Sequence, residues 1–360
     1  MPDTGTNTGI NAVRPAITLA GQDNASLAEG LLSLLVVETT EGLYRSEAIV
    51  GNWGNVGNSV DFLYFDRQTL DFGKRWQIKL GSGSSAQTIF DGRIMGLQAD
   101  FPQGDSARTI TVLAEDRFQD LRMTRRTRTF DQVSDGDVIR KIANEHGLTP
   151  SVDVSGPTYP VLAQTNQSDL AFLRERARSV DAELWIDGTT LHAQAHDKRN
   201  GGTVDLTYGS DLHEFSVLAD LAHQRSSVSV NGWNVDGKER LQYEADDAVL
   251  SGELNGDTSG AGILSQALGR RKEALVHTIP LTRQEAQATA ESYFKMTARR
   301  FVVGQGVAEP NAKLRVGTYV NIKGLGPLFS GKYYLSRVQY LFDARGGRTE
   351  FTAERPGLGR

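Results

Sequence analysis

Gly73-Lys74-Arg75-Trp76-Gln77-Ile78-Lys79 returns later in the chain as Gly317-Thr318-Tyr319-Val320-Asn321-Ile322-Lys323, with glycine, isoleucine and lysine at the same spacing. In the first copy Trp76, Ile78 and Leu80 alternate with Arg75, Gln77 and Lys79, the period of a half-buried strand. Further on, Phe90-Asp91-Gly92-Arg93 corresponds to Phe329-Ser330-Gly331-Lys332. Arg108-Thr109 with Ala114-Glu115 corresponds to Arg348-Thr349 with Ala353-Glu354. Phe90 precedes Ala114 by 24 positions, and Phe329 precedes Ala353 by 24. Two unrelated meanders would share glycine turns but would not keep three blocks in step. The spacing therefore predicts an internal duplication, two β-domains built on one strand–turn–strand–strand plan. The first copy carries a longer turn, Gly81-Ser82-Gly83-Ser84-Ser85, before its second strand.

Outward from the repeat, most of the chain alternates. Ile110, Val112 and Ala114 alternate with threonines, and Val228 and Val230 sit between Ser227, Ser229 and Asn231. Tyr334, Val338, Tyr340 and Phe342 read as one face of a long strand with Ser336 between them. Asp187-Gly188 between Leu184–Ile186 and Thr189–Leu191 predicts a two-residue type I′ hairpin. Three helices interrupt the pattern. Ser134 to Gly147 opens with a capping box of Ser134 and Asp137 and stops on glycine. The second runs from about Ser168 to Val180, with Leu170, Leu173 and Ala177 on a stripe. The third has the box Thr282 and Glu285 and reaches about Phe301. A shorter helical stretch, about Ile263 to Leu275, precedes it, and Ser251 to Gly262 reads as a loop.

The 360 residues suggest two to four units, and 39% hydrophobic with 23% charged residues is a globular composition. The absence of cysteine excludes disulfides and thiolate metal sites. A net charge of −5 argues against a specific nucleic-acid partner. Met1 to Arg14 lacks a signal-peptide pattern, and the apolar run Leu31 to Val37 is too short for a membrane anchor. The expectation is a soluble protein made in a cytoplasm.

Candidate chemistry is thin. Asp71-Phe72-Gly73 spells a kinase metal-binding triplet without the rest of a kinase. Gly81-Ser82-Gly83-Ser84-Ser85 lacks the lysine of a phosphate loop. His192 and His196 have i, i+4 spacing but follow a strand and lack the glutamate of a metalloprotease motif, so they read as surface histidines. His146, His213, His223 and His277 are scattered, and no carboxylate pair is singled out. No catalytic residue, cofactor site or metal site is assigned. Gly136-Asp137 through Gly147-Leu148 looks like the first helix of a LysM peptidoglycan-binding module, although prolines at 150, 157 and 160 follow instead of a second helix. The basic run Arg122, Arg125, Arg126 and Arg128 reads as a solvated linker or as an ionic contact between subunits, for which arginine's planar fork is suited.

Taken in order, several stretches resemble the tail-hub (late control gene D) family of contractile phages and the N-terminal hub part of type VI secretion valine–glycine repeat proteins. They are Phe90-Asp91-Gly92 with its Ala114-Glu115-Asp116 ending, and Gln164 to Arg174 leading through Glu183-Leu184-Trp185 to the Asp187-Gly188 hairpin. Leu314 to Ile322 with Phe329 to Tyr334 complete the set, which spans about residues 30 to 355. The chain departs from the secretion-system members by lacking their C-terminal barrel and spike repeats. The resemblance implies a homotrimeric baseplate hub, with a hexameric tail tube protein, a separate spike protein and other baseplate proteins as partners. It implies a place in a virion or injection-particle baseplate assembled in the bacterial cytoplasm. The alternative is a LysM-like peptidoglycan-binding or wall-hydrolysing tail component. The expected fold is α+β and β-dominated, with two tube-like β-barrels. The first covers 15–125, with strands after residue 200 available to complete it, and an α/β insert covers 126–200. The second pairs 201–245 with 302–356 around a helical insert at 246–301.

Overall fold

The computed structural model describes residues 14–81, 86–103, 108–234, 237–276 and 280–359. Ser82 to Ser85 of the longer turn, His277 and most of Met1 to Arg14 lie outside them.

The first half runs β1 (Ala16–Leu19), β2 (Gln22–Asp23), α1 (Ala25–Glu29), β3 (Leu31–Thr39), β4 (Arg45–Gly51), β5 (Trp53–Val56), β6 (Ser59–Phe62), β7 (Arg75–Leu80), β8 (Gln87–Asp100), β9 (Thr109–Glu115) and α2 (Phe118–Arg122). In β7 the alternation holds: Trp76, Ile78 and Leu80 are buried and Arg75 is exposed. In β9, Ile110, Val112 and Ala114 face the same core.

Next come β10 (Arg125–Ser134), α3 (Asp135–Glu145), β11 (Thr149–Asp153), β12 (Thr158–Ser168), α4 (Asp169–Ser179), β13 (Ala182–Asp187) and β14 (Thr190–Ala195). The capping box of Ser134 and Asp137 forms, Gly147 takes φ +63 beyond the helix, and Ser168 caps α4. The apolar faces of α3 and α4 meet Phe130, Leu184 and Leu191 in a second core. The hairpin differs from expectation by one residue. Asp187 pairs with Thr190, so the loop is Gly188-Thr189, with positive φ at Gly188 only. Glycine at the first central position is the type II′ solution.

The chain continues with β15 (Thr203–Thr207), β16 (Leu212–Ala219), β17 (Ser227–Asn234), β18 (Glu239–Asp246), β19 (Thr258–Ser259), α5 (Gly260–Leu268), β20 (Lys272–Leu275) and α6 (Arg283–Arg299). The helix expected over Ile263 to Leu275 stops at Gly269, φ +77, and its remainder is strand β20, parallel to β17. The loop expected up to Gly262 is shorter, since α5 starts at Gly260 under the Ser259 cap. Residues 227–245, expected in the second β-unit, lie in β17 and β18, which share a three-stranded sheet with β20 and pack under α6 in a third core.

Last come β21 (Val302–Ala308), β22 (Tyr319–Lys323), α7 (Gly326–Phe329), β23 (Gly331–Asp343), β24 (Gly346–Arg355) and β25 (Gly357–Leu358). A bulge at Ser336 shifts the phase of β23. Tyr333, Leu335, Val338, Tyr340 and Phe342 therefore share the core, while Tyr334 turns to the other face, correcting the face read from the sequence.

The duplication is real in hydrogen-bond topology. The order β7-β8-β9-β4-β3 is matched by β22-β23-β24-β21-β16. A bulge at Met95 between β8 and β9 answers the one at Ser336, and a bulge at Leu32 answers one at His213. Ala114 of β9, opposite Ile94, answers Ala353 of β24, opposite Leu335, as the sequence blocks proposed. The Phe90 block is slipped by two: Ile78 faces Phe90, whereas Ile322 faces Gly331. The class is α+β and β-dominated as expected, but the two halves are not closed barrels. The reason is β3, whose free edge is taken by β23 of the other half, so both halves run into one 13-stranded sheet over one core.

Candidate functional site: a buried ionic junction and open sheet edges

Three segments far apart in sequence meet around Glu183 of β13. Its carboxylate lies 2.8 Å from His196 Nδ1, accepts from Arg199 at 2.8 Å and accepts from the Tyr334 hydroxyl at 2.6 Å. Burial opposes ionisation, but the His196 hydrogen bond and the Arg199 charge outweigh it and draw the Glu183 carboxyl down to about 2. Arg199 also donates to the Tyr44 hydroxyl at 3.1 Å and to the Val316 carbonyl at 2.9 Å, and lies over the Trp185 ring. Burial pushes the Tyr44 hydroxyl up to about 12, so it stays a neutral partner. On the other side of Val316, Glu38 of β3 accepts its N–H at 3.2 Å and pairs with Arg315. Gly317, at φ +92, packs so closely on Arg199 that a Cβ would collide with the guanidinium. The second core is thus bolted to both halves of the large sheet.

A second tie lies beside it. Arg299 of α6 forks onto Asp181 at 2.5 and 2.7 Å and onto Glu253 at 2.7 Å through two atoms. The small cleft between the two ties, about 140 Å³, is lined by Thr40, Arg178, Asp181, Glu183, Met296 and Arg299. Asp181 is paired with Arg299, Arg178 with Glu41, and Glu183 with His196 and Arg199, which suits a mechanical joint. Among the described residues no cluster of histidine and carboxylates has metal-binding geometry.

The arginine run is not a linker, because Arg125 to Ser134 form β10, paired with β12. Arg126 and Arg128 converge on Asp169, at 3.3 and 2.9 Å, and on Glu145, at 3.4 and 2.6 Å. His146 Nε2 and Gln164 complete the ring around Asp169. Burial works against that carboxylate's ionisation, yet these hydrogen bonds and the two arginines hold it below the usual range. Arg122 stands apart, forked onto Glu115, and the exposed Arg125 reaches only the Asn166 carbonyl. His192 and His196 do not come together: His192 stacks on Trp185 and His196 is buried on Glu183. The LysM-like helix α3 is followed by strand β11. Asp71-Phe72-Gly73 is a turn in which Asp71 binds Arg67. Glu183, Arg199 and Arg299 were missed by sequence reasoning, since their partners share no spacing.

The open surface is a set of strand edges and exposed apolar groups. β16 ends the large sheet with Leu218 exposed. The β5–β6 hairpin carries Trp53 and Phe62, whose rings meet edge to face at 5.0 Å, and Phe62 stacks on Phe65 and touches Phe101. No described helix is long and apolar enough to cross a membrane.

A family model described as the Alg8 N-terminal domain matches residues 49–342. No curated protein matches the chain. Among solved structures the chain is similar to the 43 kDa tail protein of prophage MuSo2 from Shewanella oneidensis, at 12% identity and TM-score 0.70, over 95% of this chain and 98% of that one. It is similar to a tail protein from Neisseria meningitidis, at 12% identity and TM-score 0.67, over 96% and 98%. It is also similar to the E. coli c3393 protein, a component of the type VI secretion system, at 11% identity and TM-score 0.55, over 92% and 76%. The likeness is one of fold, and it bears out the resemblance read from the sequence. With the family model spanning most of its length, the chain belongs to the Alg8 N-terminal domain family, on a fold shared with phage-tail and type VI secretion proteins.

Proposed function

We propose that the chain is the structural hub of a contractile tail or related injection machine, a homotrimer that joins a hexameric tail tube to a central spike and catalyses no reaction. One observation carries the reading: four successive ladders of one half recur in the other, two of them with matched bulges. Three such chains offer six near-equal sheets, so a threefold ring can meet a sixfold tube. The fold shared with phage-tail proteins supports the same setting. In this reading the units at 15–125 and at 201–226 with 302–356 build the ring, and those at 126–200 and 227–301 are carried as inserts. The ionic ties keep the inserts from shifting under load. Exposed Arg122 and Arg125 are offered as contacts to a neighbouring subunit or to the tube, whereas Arg126 and Arg128 brace their own chain. Other baseplate proteins surround the ring, in a virion or injection particle assembled in the bacterial cytoplasm.

The test is the solution mass, by light scattering behind size exclusion. The expected value is near three times 39.3 kDa, with tube and spike proteins of the same particle co-purifying. A monomer at every concentration, with neither partner retained, overturns the proposal.

A further inference from the structure

The seam inside the chain specifies a seam between chains. Strand β23 is long, and one of its sides is shared. Its first part, Gly331 to Tyr334, pairs with β22, and its later part, Arg337 to Phe342, pairs with β3. Strand β8 is its counterpart in the other half. Its first part, Gln87 to Arg93, pairs with β7 in the same way. Its later part pairs with β9 on one side only, and no described strand lies on the other. The strand that corresponds to β3 is β16. Leu31 faces Val50 as Leu212 faces Ala308, and each strand has its bulge one residue later. β16 ends the sheet, and beyond the Tyr208–Leu212 bridge no described strand pairs with its outer edge.

We infer that β16 of one copy pairs antiparallel with the free side of β8 in the next copy, repeating between chains the β3–β23 seam found within one. This rests on the ring reading above and gives it a register. Within the chain Thr39 faces Arg337, Val37 faces Gln339 and Leu34 faces Phe342. Carried across by the matched ladders, Asp220 faces Gly96, Leu218 faces Gln98, and Phe215 faces Phe101. Several of the groups that meet are open in the single chain: Leu218 is 64% exposed and Phe101 67%. Gln98, Ala99 and Asp100 are exposed as well. An edge with exposed apolar side chains is a pairing site that a protein must cover. The contact is head to tail, the kind that closes into a ring.

The chain has no cysteine, so the register can be read by cross-linking. Leu218→Cys and Gln98→Cys are made as separate, differently tagged chains and co-expressed, so that a disulfide between the two positions must join different molecules. Opposed residues bring their Cβ atoms to about 5 Å, whereas diagonal neighbours stay about 7–8 Å apart. The expected result is a mixed disulfide at high yield for Leu218→Cys with Gln98→Cys. Leu218→Cys with Asp100→Cys, two residues out of register, should give several-fold less. Unchanged melting of each single variant establishes that both fold. Light scattering on the same samples separates the two claims. A trimer without the disulfide, or with equal yield from the shifted pair, overturns the strand pairing and leaves the ring. A monomer throughout overturns both.

Discussion

Glu183 ionises inside the protein because an imidazole, a guanidinium and a phenol converge on one carboxylate. Removing that charge leaves Arg199, itself almost fully buried, without its ion partner. Glu183→Gln should therefore cost about 3 kcal/mol or more in urea unfolding, the usual loss when one half of a buried pair is removed. Its pH dependence has a definite sign. The folded carboxyl sits at about 2, below its ordinary 4.5, so its contribution is complete above pH 4.5 and is lost as pH falls toward 2. The gap between wild type and Glu183→Gln should be widest at neutral pH and narrow steadily on acidification; a gap independent of pH would contradict the account. Little of this junction was legible in the sequence. Tyr44, Glu183, His196, Arg199 and Tyr334 have no common period, and reading His192 and His196 as surface histidines placed His196 wrongly. Tyr334 was assigned to the core face because alternation carries no sign of a bulge.

At the scale of elements, caps and alternation were the legible part, because both are written within a few residues. Ser134 with Asp137, Ser168, and the Trp76–Ile78–Leu80 stripe all did what local chemistry dictates. Strand β20 was misread, since four residues after a helix carry too little pattern to declare a new element. The repeat was legible where glycine and alanine fix backbone contacts. It slipped by two at Phe90, where a turn of different length stands between the blocks. At Gly92 a Cβ would strike the Glu115 carbonyl across the ladder. Gly92→Ala should force β8 and β9 apart and destabilise by about 1–3 kcal/mol, in the range of overpacked cores. Hydrogen exchange should report the loss first at Ile94 and Ala114. Unaltered protection there would show that the ladder yields without strain.

At the scale of the molecule, what sequence could not supply was the partner of β3. The expectation of two closed barrels failed at that strand, because nothing local says that Leu34 to Thr39 will pair with residues some 300 positions away. The two ionic ties belong to this scale too. Arg299 joins Asp181, at the end of the second core, to Glu253, beside the third. Arg299→Met keeps the volume and removes the tie, so calorimetry should resolve one broad transition into two. A single unchanged transition would mean that packing alone couples these regions.

The seam between β3 and β23 also sets a timetable for synthesis. Leu31 to Val37 is the most apolar stretch of the chain and leaves the ribosome about 300 residues before the strand that covers its edge. Until then a growing chain presents an open, leucine-rich edge, the kind of template that recruits other nascent chains. A chain released shortly before residue 337 should therefore aggregate, whereas one released after Arg355 stays dispersed. The protein's ability to remain unclumped during translation is thus decided by the arrival of β23, and any helper that shields it should act on β3.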